Sequence, residues 1–107
     1  MKYAVISASA AGDTTVIAGV AGKKIRVLDY IVTSNNNVDI QWQSTGGTNL
    51  SGVMYIGAHG WLSAVGGYQT PAGMFGLFEV PADEGLVISL GGAFNVGGHL
   101  TYQFIGV

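Results

Sequence analysis

The chain has 107 residues, no cysteine and a formal net charge of −2, with 9% of its residues charged and 49% hydrophobic. This length allows one domain with a real core and no covalent staples, and the lack of cysteine excludes disulfides, thiolate catalysis and cysteine-ligated zinc. The acidic balance argues against phosphate-backbone binding, the lack of any run of about 20 apolar residues against a spanning helix, and the abundance of Val, Ile, Leu, Tyr and Phe against disorder.

The N-terminal "MKYAVISASAAG" imitates a signal peptide, but "YAVI" is four residues where a hydrophobic region needs about 7–15. It reads as a first strand, 2–8, and 14–19 as a second. The stretch "VAGKKIRVLDYIV" then holds three of the four basic side chains, Lys23, Lys24 and Arg26. A phosphate loop needs G-x-x-x-x-G-K-[ST] before a helix. Here Ile17 stands where the first glycine belongs, Lys24 replaces the hydroxyl residue, and a strand follows. The segment is expected to be a hairpin turn whose lysines keep its tip solvated.

Residues 24–34 form an unusual strand. Val27 and Ile31 fall on one face and Leu28, Tyr30 and Val32 on the other, so both faces are apolar. Strict alternation makes Leu28, Tyr30 and Val32 an outer face covered by another subunit. In "VDIQWQS" (38–44), Val38, Ile40 and Trp42 alternate with Asp39, Gln41 and Gln43, which places Trp42 in the core. Further strands are expected at 52–57, 60–65, 74–80, 86–91 and 98–106, separated by turn-rich "SNNN", "STGGTN", "VGG" and "PADEG". "GGAFNVGG" (91–98) fits a glycine-bracketed loop. The chain therefore reads as one domain, 1–107, an all-β antiparallel jelly-roll-like sandwich of about eight strands.

Chemistry-bearing motifs are missing. His59 and His99 belong to no metal-ligand spacing, no G-x-S-x-G elbow is present, and Asp83-Glu84 reads as a solvated turn. No catalytic residue, cofactor or metal is expected, and no enzyme activity. His99 is expected to be a hydrogen-bonded edge residue. The aromatics Trp42, Trp61, Tyr55 and Tyr68 leave room for a sugar-stacking platform. From residue 40 to residue 78 no Asp, Glu, Lys or Arg occurs, and a surface so poor in charge favours association.

The segments "TTVIAGVAGKKIRVLDYIVTS", "TNLSG" and "PAGMFGLFEVPADEGLVISLGGAFNVGGHLTYQF" resemble small β-sandwich virion proteins of tailed bacteriophages, over residues 14–104. Proteins of that kind act as capsid decoration (cement) subunits or head-fibre-like modules, often trimeric. The resemblance implies a structural protein on the capsid exterior that meets the major capsid protein and its own copies. From charge and run length, neither direct nucleic-acid nor membrane contact is expected. Leu28, Tyr30, Val32, Trp61 and Phe75 are the expected subunit contacts. The alternative is a glycan- or receptor-binding head or tail module of the same fold, with Trp61 and Tyr68 exposed.

Overall fold

The computed structural model describes residues 2–65, 68–70 and 73–106, and side chains outside 66–75. It contains eleven strands and no helix among these residues: β1 (Lys2–Ala8), β2 (Gly12–Ile17), β3 (Lys23–Ser34), β4 (Val38–Ser44), β5 (Met54–Ile56), β6 (Trp61–Val65), β7 (Tyr68–Thr70), β8 (Gly73–Phe75), β9 (Phe78–Glu79), β10 (Leu86–Leu90) and β11 (Val96–Gly106). A larger sheet runs β1-β11-β3-β6, with β9 also paired to β3, and a smaller one runs β2-β10-β4-β5. Strands β7 and β8 pair with each other. All pairings are antiparallel.

The expected strands at 2–8 and 38–44 have the observed bounds, and those at 24–34 and 60–65 differ by one residue. Nine strands, rather than about eight, make up the two sheets among the described residues. The expected strand 74–80 divides into β8 and β9 around Gly76, and only β9 joins a large sheet. A Cβ at Gly76 would fall on the Val27 carbonyl oxygen, so this glycine lets the chain close against β3. The Leu77 amide then donates to Val27 O at 2.8 Å and the Val80 amide to Ile25 O at 2.8 Å.

The core follows from alternation. Inward residues of the larger sheet (Ile6, Val32, Leu100) and of the smaller one (Ile40, Trp42, Ile88) form one buried cluster. Trp42 is fully buried, as its alternation with Gln41 and Gln43 implies, and meets Tyr30 edge-on at 5.3 Å between ring centroids.

Strand β3 corrects the expectation of an outer apolar face. Thr101 pairs with Asp29 but Tyr102 pairs with Val27, so Leu28 is an extra residue in the ladder. Such a bulge moves all later residues to the opposite phase. Ile25 and Val27 therefore point into the same core as Tyr30 and Val32. Tyr30 and Val32 are core residues of their own chain, and Leu28 is also buried, though outside the core cluster. None of the three presents an outer surface. Ile31 and Asp29 occupy that side instead.

Candidate association face and groove

The alternation of β1 buries Ile6 and Ala8 and turns Tyr3, Val5 and Ser7 outward. The sheet register carries this side across four strands. Tyr3 lies beside Thr101, Asp29 and Val65; Val5 beside His99, Ile31 and Ser63; Ser7 beside Gly97, Thr33 and Trp61. Across these three rows only Asp29 is formally charged, and its carboxylate accepts a hydrogen bond from Thr101 Oγ1 at 2.7 Å. Tyr3, Val5, Trp61 and Val65 are 74%, 68%, 65% and 83% exposed. They are four of the seven large hydrophobic residues that stand exposed among the described residues. Isolated exposed apolar residues are ordinary; four on one sheet face nearly free of charge make that face the candidate interaction surface.

His99 stands in the middle of this face, because β11 lies between β1 and β3. The expected edge position is thereby corrected: β11 reads as terminal in the chain but is central in the sheet.

The outer side of the smaller sheet differs in kind. Gln43 Nε2 donates to Gln41 Oε1 at 3.2 Å and to Asn49 Oδ1 at 3.0 Å, while Gln41 Nε2 donates to Ser51 O at 2.9 Å. A polar surface that satisfies itself in this way has little to gain from a dry contact. Tyr55, 73% exposed, sits at its β5 edge opposite Asp39.

The basic cluster lies at the far end of β3, beyond the bulge. Arg26 Nε and Nη2 donate to Glu79 Oε2 at 3.0 and 2.9 Å, and Lys24 Nζ lies 3.7 Å from Glu79 Oε1. These pairs straddle the β3–β9 contact, where Arg26 and Glu79 are direct ladder partners. Exposed pairs of this kind contribute little to stability, but they engage Lys24 and Arg26 within their own chain. The turn before it is a crossing between sheets, and the expected hairpin is corrected: β2 belongs to the smaller sheet and β3 to the larger.

At the other end of the face an open groove of about 610 Å³ runs between the end of β1, the start of β11 and residues 33–35. Ser7, Ser9, Thr33, Asn35, His59 and Asn95 supply its polar lining, and no charged side chain lines it among the described residues. His59 adopts a left-handed conformation, φ 60°, and its amide donates to Ser34 O at 2.9 Å. Two residues on, Trp61 begins β6 directly beside Thr33 of the groove. Alternation in β6 alone did not distinguish an exposed Trp61 from a packed one. The register of β6 on the outward row of β3 does.

Of the expected contact residues, Trp61 is therefore on the open face, whereas Leu28, Tyr30 and Val32 are internal. Phe75, like Tyr68, lies outside the residues whose side chains are described. Tyr3, Val5 and Val65 are face residues outside the expected contact set. The period-two alternation of "KYAVISA" carried the signal for the first two, but which side faces the core depends on the partner strands. Among the described residues no group of three or more His, Asp or Glu side chains converges as a metal site. Comparison with family models, with curated proteins and with solved structures gives no match.

Proposed function

We propose that this protein is a structural, non-enzymatic virion subunit, a capsid decoration protein of a tailed bacteriophage that assembles as a trimer on the shell exterior. The single observation that carries this reading is the charge-poor outer face of the larger sheet, bearing Tyr3, Val5, Ile31 and Val65. Its occupant is a second copy of the chain. The strand order supports the same reading. Successive strands alternate between sheets, β1 to β2 to β3 to β4, and return through β10 and β11. The resulting orders, β1-β11-β3-β6 and β2-β10-β4-β5, support reading the two-sheet sandwich as a jelly roll, an architecture used for capsid proteins. The sequence resemblance to phage virion proteins over residues 14–104 points the same way.

The magnitudes say how the face is used. The Tyr3 and Val5 rows span three inter-strand steps by one row step, which with side chains included is a footprint of roughly 250 Å². A stable contact buries about 800 Å² per partner. These rows alone fall short, so the contact extends past the outer edge of β1, which has no strand partner among the described residues. Each added 100 Å² of apolar burial contributes about 2.5 kcal/mol before association costs. A protein held by such contacts to its own copies and to the major capsid protein ties neighbouring capsomers together without chemistry.

Micrographs of particles made with and without this protein test the assignment. Extra density on the shell exterior at regular sites, lost when the protein is omitted, is the expected result. Identical shells in the two preparations would refute it.

A further inference from the structure

We propose that the groove beside Trp61 binds a neutral saccharide, stacked on the Trp61 indole and hydrogen-bonded by the hydroxyls and amides that line the cleft. The inference goes beyond the assembly role and rests on it in one respect: the Ser7–Trp61 row, at the end of the sheet face, stays open when a second copy covers the Tyr3 and Val5 rows. The groove is walled by Ser7, Ser9, Thr33, Asn35, His59 and Asn95. Several of these are already committed within the protein. Thr33 Oγ1 donates to Gly97 O at 3.3 Å, and Asn35 Oδ1 accepts the Asn95 amide at 3.0 Å. The side chains of Ser7, Ser9, His59 and Asn95 make no hydrogen bond to another described residue. They offer both donors and acceptors to whatever enters.

Charge selects the ligand class. With no Lys or Arg in the lining, a phosphate or carboxylate would find no counter-charge, and with no carboxylate a cation would find none. A neutral polyhydroxylated molecule suits a wall of hydroxyls, amides and one imidazole. Its apolar ring face needs a flat apolar partner, and Trp61, 65% exposed beside Thr33, provides one. The volume of about 610 Å³ lies within the usual range of small-ligand sites, about 300–1,000 Å³. Its openness along β1 and β11 suits a segment of a chain rather than an enclosed single sugar.

Three neutral oligosaccharides, maltohexaose, cellohexaose and chitohexaose, would be titrated against the full chain by calorimetry and tryptophan fluorescence. At least one is expected to bind at micromolar to millimolar concentration and to change the emission. Trp42 is buried and remains a constant background. Trp61→Ala is expected to abolish the response, and Asn95→Ala to weaken binding about tenfold, both with unchanged thermal unfolding. Binding is expected to persist in Val5→Lys, which disrupts the association face and leaves the groove lining intact. Three results would overturn the proposal: no response to any of the three sugars up to 10 mM, an undiminished response in Trp61→Ala, or loss of binding in Val5→Lys.

Discussion

The carboxylate of Asp83 accepts the backbone amide of Gly22 at 2.6 Å, joining two turns 61 residues apart in the chain. Gly22 has φ +75°, which suits glycine in the tight 20–23 turn closed by Lys23 N to Val20 O at 3.1 Å. Asp83 is itself left-handed at φ +68°, a conformation that Asp and Asn tolerate better than other side chains. Its neighbour Glu84 turns the other way and accepts from Ser44 Oγ at 2.6 Å and from the Gly46 amide at 3.0 Å. The one adjacent carboxylate pair therefore clamps two separate turns at one end of the sandwich.

Substitutions at these two positions separate their roles. Asp83→Asn keeps an acceptor and the left-handed tolerance, and should cost under about 0.5 kcal/mol. Asp83→Ala loses both and should cost about 1–2 kcal/mol. Glu84→Ala leaves the buried Ser44 hydroxyl without its carboxylate acceptor and should cost about 2–3 kcal/mol. Urea unfolding of the three variants checks the order.

Gly98 is the position in β11 with no room for a side chain. It lies between Ile6 and Val32 in the inward row, and a Cβ there would collide with the Ile31 carbonyl oxygen. Gly98→Ala should destabilise by about 3 kcal/mol, at the upper end of overpacking costs. At Gly97 the nearest obstacle to a Cβ is 3.8 Å away. Gly97→Ala should cost less than about 1 kcal/mol, so the contrast between neighbouring glycines in thermal unfolding tests the register itself.

Trp42 fills the centre of the core against Tyr30 and Phe78. Its Nε1 is buried with no hydrogen-bond partner. Trp42→Phe therefore loses volume but no hydrogen bond, and should cost less than Trp42→Ala, for which about 3–5 kcal/mol is expected. Equilibrium denaturation of both variants, followed by circular dichroism, gives the two values.

Most strands were legible because period two is a local property, as the bounds of β1 and β4 illustrate. What escaped the sequence is non-local. The bulge at Leu28 is defined by how β11 pairs with β3, and nothing in "IRVLDYIV" announces it. Carried past that residue, strict alternation put Tyr30 and Val32 on the wrong side of the sheet. The turn at Gly22 has hairpin composition, yet β2 and β3 join different sheets, and composition is blind to that choice. Asp83 and Glu84 read as a solvated turn because their partners lie 61 and 40 residues away. The open face needed the register of four strands before its residues could be named. Among the expected contacts whose side chains are described, only Trp61 stands on it.

Sedimentation velocity across micromolar concentrations asks whether another copy of the chain covers the outer face of the larger sheet. The wild-type protein should sediment as a trimer, and Val5→Lys, which sets an ammonium among Tyr3, His99 and Ile31, as a single 11.0 kDa chain with its fold intact. A wild-type protein that remains an 11.0 kDa monomer throughout, or a Val5→Lys variant that keeps the trimer, would contradict the assignment.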